Sequence, residues 1–196
     1  MLTLYFAPGS SSMAPHIALH EIGATFDTRS LSLATKDTRT PEFLAINPVG
    51  KVPVLLIDGR VLTEVAGILF YLARRHPEAG LLPTDDIEAE AQVVSWMSHL
   101  ASAVHPSRGQ GLDPCRAAWT TVEQRLGGRD WVVGGRYSIA DIHLFRLYWR
   151  VRSFLDLPAG TLPTVEAHYA RMMARPAVIK TIEIESKVAG HSLPAA

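Results

Sequence analysis

The amino-acid sequence predicts an α/β domain followed by an all-α domain, and three observations carry that expectation. Over the first 77 residues, short strand-like runs alternate with helical patterns; beyond residue 84, helix follows helix; and Glu78 to Pro83, between them, has the composition of a linker. The expected domains are residues 1–77 and 84–196.

Leu2 to Phe6 is a short apolar run halted by Ala7-Pro8-Gly9, which predicts a first strand. Ser10 to Ser12 then lead into a helix ending near Gly23, with Pro15 in the first turn, where a missing N–H costs little. Phe26 to Leu33 reads as a weaker second strand, Thr35 to Thr40 as a loop and Pro41 to Ile46 as a helical turn. Val52 to Ile57 is an almost continuous apolar run; Asp58-Gly59 is a hairpin signal, and Val61-Leu62 begins the return strand. From Glu64 onward, Val65, Ile68, Leu69 and Leu72 recur at helical spacing as far as His76-Pro77. The order β-α-β-α-β-β-α is the thioredoxin arrangement.

In the second half, Thr84-Asp85-Asp86 is placed to cap a helix, and Ala89 to Val104 predicts an unbroken one whose core face is Trp96, Met97, Leu100 and Val104. Arg108 to Pro114 reads as a loop, Arg116 to Leu126 as a helix and Gly127 to Gly135 as a turn-rich connection. Ser138-Ile139-Ala140-Asp141 is a capping-box pattern, with Tyr137 and Ile142 at the positions of a hydrophobic staple.

Composition narrows the partners. Lys+Arg and Asp+Glu both number 19 in 196 residues, so no net field recommends nucleic acid or an anionic membrane surface. With no signal peptide and no apolar run of bilayer length, a cytoplasmic protein is expected. The only cysteine, Cys115, excludes an intramolecular disulfide, a Cys-x-x-Cys redox motif and a cysteine-based zinc site. His16 and His20 lie four apart, and His99 and His105 fall on or near the long helix, but no metal motif accompanies them. They read as surface histidines, and no metal is expected. A small molecule is the expected partner.

Three places could carry chemistry. Gly9-Ser10-Ser11-Ser12 joins a strand end to a helix start, where free N–H groups and about half a positive charge favour an anion such as a thiolate. A serine hydroxyl there would donate to the sulfur and lower its pKa; the plainer role is capping, for which Ser12 is best placed. In Asn47-Pro48-Val49-Gly50-Lys51-Val52-Pro53, a cis bond before Pro53 would present the Val52 backbone as a short edge strand able to pair with a peptide. Glu64 could stabilise a helix dipole or pair with a ligand ammonium, while the Val65 N–H receives a carboxylate. Together those last two would recognise an α-amino acid headgroup.

With these residues set out, the chain resembles the bacterial beta class of glutathione transferases. The resemblance rests on Pro8-Gly9-Ser10-Ser11-Ser12-Met13-Ala14-Pro15-His16-Ile17, on Phe43 to Leu55 through Asn47-Pro48-Val49-Gly50-Lys51-Val52-Pro53, on Leu62-Thr63-Glu64 and on Tyr137-Ser138-Ile139-Ala140-Asp141. It implies glutathione as co-substrate, a hydrophobic small-molecule electrophile as second substrate, a role in detoxification, and a homodimer with each site near the interface. It also implies a cis bond at Pro53. Val52 would bind the cysteinyl unit, Glu64 and Val65 the γ-glutamyl end, and Lys36 the glycine carboxylate. Ser10, Lys51 and Pro53 complete that set within the first domain. His105 matches a histidine placed near the sulfur, and Ser98 and Ser102 match helix positions that reach the partner subunit's site.

The departures bear on mechanism. Ser11 stands where the beta class usually carries cysteine, which favours thiol activation by a hydroxyl over disulfide exchange. Ser11 and His105 are the expected catalytic residues, with Tyr5 a runner-up from the first strand. Asp37 replaces a second loop lysine, Val65 a usual serine, threonine or glycine, and Pro106 a common lysine. The stretch from His105 to Tyr137 is short for the family, implying truncated helices around the electrophile pocket. The alternatives are a non-catalytic binding or regulatory protein of this fold and a glutathione-dependent isomerase; reductase chemistry is disfavoured without the site cysteine.

Overall fold

The computed structural model describes residues 1–188 and 193. The chain forms two compact units, one from Met1–Arg75 joined by the C-terminal segment that begins at Pro176, the other from His76–Arg175.

The first unit holds a four-stranded sheet in the order β2-β1-β3-β4, built from β1 (Leu2–Phe6), β2 (Phe26–Ser30), β3 (Val54–Ile57) and β4 (Arg60–Thr63). β1 pairs parallel with β2 and antiparallel with β3, and β3 pairs antiparallel with β4 through the Asp58-Gly59 turn. Helices α1 (Met13–Glu21), α2 (Pro41–Ile46) and α3 (Val65–Arg75) complete the thioredoxin-like order. Leu4, Phe6, Ile17, Leu55, Ile68 and Leu69 are buried to 2% exposure or less, each contributing about 1.5–3 kcal/mol. The second strand stops at Ser30 rather than Leu33, and its residues 27–30 are exposed, as suits a polar edge. The third begins at Val54 rather than Val52, because Pro53 has no N–H to give a ladder.

One boundary differs from the sequence expectation of domains at 1–77 and 84–196. Helix α9 (Pro176–Ser186) packs on α1 and belongs to the first unit. The reason is chemical: buried Glu185 on α9 meets buried His16 on α1.

The second unit is helical. Asp86 caps α4 (Ile87–His99), its carboxylate accepting the N–H groups of Glu88 and Ala89 at 3.0 Å. Trp96, Met97, Leu100 and Val104 are buried as their spacing requires, but the helix expected to run unbroken to Val104 passes at Leu100–Val104 into a π-helical turn. The expected loop from Arg108 to Pro114 is instead largely helical. It holds the end of α5 (His105–Gln110) and the first turn of α6 (Leu112–Leu126), where Pro114 lacks a donor that the first turn does not need. Gly111, at φ 120°, makes the break.

Ser138 and Asp141 form the capping box of α7 (Ile139–Leu155). Asp141 does more than cap. One carboxylate oxygen accepts the Ser138 N–H and hydroxyl at 2.8 and 2.9 Å; the other accepts the Val132 N–H at 2.9 Å and lies 3.0 Å from His168 Nε2. This ties the turn before α7 to α8 (Pro163–Met173), whose first N–H groups, on Thr164 and Val165, bond Glu123 at 2.9 Å each. Among the described residues no helix is long and apolar enough to cross a membrane.

Candidate functional site

The strand register assembles the site. Tyr5 of β1 is opposite Val54 of β3, Val54 is opposite Thr63 of β4, and Phe6 is opposite Ser30 of β2. The carboxyl ends of β1, β2 and β4 and the amino end of β3 therefore share one end of the sheet. The loops with Ser10–Ser12, Lys36, Val52-Pro53 and Glu64 all spring from that end, where open α/β sheets bind ligands.

The three serines divide their work. Ser12 is fully buried; its hydroxyl donates to the Ala7 carbonyl at 3.2 Å and accepts the Ala7 N–H at 3.1 Å. Ser12 thus closes the loop after β1 and makes no side-chain cap of α1, contrary to the capping role expected of it. The Ser10 hydroxyl lies 2.8 Å from that of Ser12 and accepts its N–H at 3.3 Å. Ser11 alone is half-buried with a hydroxyl that bonds nothing among the described residues. Tyr5, the runner-up, sets its ring 6.0 Å from that of Phe43, tilted by 53°.

The Val52-Pro53 bond is cis, and Val52 has no backbone partner among the described residues. The turn before it is braced from within: Asn47 Nδ2 donates to the Lys51 carbonyl at 2.8 Å and Asn47 Oδ1 accepts the Val49 N–H at 3.2 Å. Gly50, at φ 64°, is needed there, since a Cβ would lie 2.8 Å from the Thr38 carbonyl oxygen. Lys51 itself is exposed.

Lys36 and Glu64 are both exposed and both left-handed, at φ 60° and 66°. Non-glycine residues adopt that conformation at a cost, and such residues cluster at ligand clamps. Glu64 precedes α3, so its carboxylate and the Val65 N–H stand together at a helix start. Asp37, in place of a second lysine, has a bracing part: it accepts the Ser32 N–H at 2.8 Å and the Thr35 hydroxyl at 2.7 Å.

Sequence reasoning missed Glu185. Its Oε2 accepts the N–H of Gly9 at 2.7 Å and its Oε1 lies 2.9 Å from His16 Nδ1, so α9 holds the serine loop. His16 and His20 are not the surface histidines expected. His16 is fully buried, and His20 stacks on it at 5.1 Å. Burial first, then the nearby His16 and Lys180, lower the His20 pKa to about 4.

Ser98, Ser102 and His105 belong to the helical unit and are exposed. Ser102 donates to the Ser98 carbonyl at 2.8 Å. His105 follows the π-helical turn, a feature frequent at functional sites, and lines a cavity of about 370 Å³. Beneath it His143 is fully buried; desolvation first, then Arg146 and His105, lower its pKa to about 3. Among the described residues no cluster of three or more metal-ligating side chains occurs.

Comparison with known proteins agrees with this architecture. Residues 1–74 match the glutathione S-transferase N-terminal domain and residues 115–176 the C-terminal domain. Glutathione S-transferase GstA of Escherichia coli O157:H7 is 31% identical over 94% of this chain and 98% of its own length. A glutathione transferase homologue from Sulfitobacter, solved with bound glutathione, superposes with a TM-score of 0.87 at 32% identity, covering 94% of this chain and 98% of that one. A beta class glutathione S-transferase from Sphingomonas chungbukensis gives 0.81 at 33% identity, over 93% and 98%. With both domains matched and near full-length relatives above 30% identity, the chain belongs to the glutathione S-transferase family.

Proposed function

We propose that this beta-class-like enzyme binds glutathione at the loop end of its sheet and activates the thiol through the Ser11 hydroxyl for attack on a small hydrophobic electrophile. The observation that carries the reading is the division of labour among the serines. Ser10 and Ser12 are committed to each other and to Ala7, whereas Ser11 keeps its hydroxyl for a ligand at a loop beside a helix start. A hydroxyl donating to sulfur favours the thiolate, and the α1 N-terminus adds to the effect.

In this reading Val52 pairs its open backbone with the cysteinyl unit, Glu64 and the Val65 N–H take the γ-glutamyl ammonium and carboxylate, and Lys36 takes the glycine carboxylate. Ser10, Lys51 and Pro53 shape the same loops, and His105 is the second catalytic candidate. Ser98 and Ser102 reach the glutathione site of the partner subunit in a homodimer. Rate comes from sulfur activation and from holding the two reactants together.

The test is Ser11→Ala. Glutathione should still bind, the thiolate absorbance of the complex should titrate at higher pH, and turnover of chlorodinitrobenzene should fall by about tenfold or more. Unchanged turnover and an unchanged thiol titration remove Ser11 from the mechanism.

A further inference from the structure

We infer that the cavity of the helical unit is an anion site, and that it selects second substrates or other ligands carrying a carboxylate on an apolar body. The inference deepens the transferase reading and rests on it only for the word substrate.

Arg108, Arg146 and Arg150 line one cavity of about 370 Å³, and among the described residues no carboxylate lines it. His105 stands at the same wall. Arg146 and Arg150 are four residues apart on α7, so they share a helix face, and Arg108 comes from α5. The Arg108 and Arg150 charges repel. Burial, and then the Arg108 charge, hold the Arg150 guanidinium below its ordinary value, and the Arg146 charge helps keep buried His143 neutral. An anion entering the cavity would relieve that repulsion, and a carboxylate matches the planar fork of arginine with two parallel hydrogen bonds.

The rest of the wall suits an apolar body. Leu147 and Val151 line it, and Trp119, also lining it, is fully buried with an indole N–H that has no partner among the described residues. Aryl or alkenyl carboxylates join both requirements: an apolar plane for the indole side and an anion for the arginines.

The experiment compares 4-nitrobenzoate with its uncharged isostere 4-nitrobenzamide by titration of the full-length protein, read by tryptophan fluorescence and calorimetry. Binding of the acid should be about tenfold tighter than that of the amide. Arg150→Gln and Arg108→Gln, both at exposed side chains, should bring the ratio towards one, whereas Arg150→Lys keeps part of it. Equal binding of acid and amide by the wild-type protein, or a preference that survives both glutamine variants, overturns the inference. Binding is read without turnover, so the two readings fail separately. Acid selectivity in a protein that conjugates nothing removes the transferase reading alone, and conjugation without charge selectivity removes the anion site alone.

Discussion

Gly9 donates its N–H to Glu185 across 2.7 Å, although 176 residues separate the two in sequence. The same carboxyl group meets His16, with both side chains fully buried. Breaking such a buried pair costs about 3–5 kcal/mol, because the partner stays buried without its bond. Glu185→Ala should therefore lower the urea midpoint by that equivalent and weaken glutathione binding through the loosened serine loop, while Glu185→Gln, which keeps one acceptor, should lose less. A stable Glu185→Ala protein would refute the anchoring role.

Ser11 and Ser12 should separate stability from chemistry. Ser12→Ala deletes a buried hydroxyl that serves both polar groups of Ala7, and should cost about 1–3 kcal/mol in chemical denaturation. Ser11→Ala removes no bond among the described residues and should stay within about 0.5 kcal/mol of the parent while losing turnover.

Asp141 should be the most sensitive position of the helical unit. Its two oxygens serve Ser138, Val132 and His168 at once, so Asp141→Ala leaves several buried groups unpaired and should destabilise by about 3 kcal/mol or more in thermal melts. Asp141→Asn should fall between.

Gly50→Ala should test the turn before Pro53. The new Cβ would approach the Thr38 carbonyl oxygen to 2.8 Å and the Arg39 Nη1 to 2.6 Å; the arginine tip can move aside, but the backbone carbonyl cannot. With φ at 64° adding its own strain, a loss of about 1–3 kcal/mol is expected, together with weaker glutathione binding measured by calorimetry.

Acid should weaken the fold before the carboxylates titrate. His143 has its pKa lowered from 6.5 to about 3, so below pH 6.5 the unfolded chain takes up a proton that the native protein refuses until about pH 3. Stability present above pH 6.5 is lost progressively across that window, by about 2 kcal/mol between pH 7.5 and 5 from His143 alone. His20, lowered to about 4, acts in the same direction. Urea midpoints at the two pH values measure the slope, and His143→Leu should reduce it; an undiminished slope assigns the proton elsewhere.

What was legible in the sequence was what is local. The Asp58-Gly59 hairpin, the α3 face of Ile68, Leu69 and Leu72, and the Ser138–Asp141 box are each set by neighbours within a few residues. The Ser12 hydroxyl turns back to Ala7 instead of forward into the helix, a choice that no neighbouring residue signals. The π-helical turn has no residue signature apart from that of an α-helix, and Arg108 to Pro114 carried loop-forming residues that a helix end and a helix start both tolerate. Glu185 was hidden because Ile184-Glu185-Ser186 reads like any solvated helix segment until α9 is placed on α1. The arginine cavity had a partial signal, the four-residue spacing of Arg146 and Arg150 on α7.

The return of α9 to the first unit also sets an order of events in synthesis. The serine loop is made before the whole helical unit and its buried anchor after it. A chain interrupted anywhere before Glu185 leaves His16 and the Gly9 N–H without that acceptor, so the serine loop reaches its final shape only after α9 has been made.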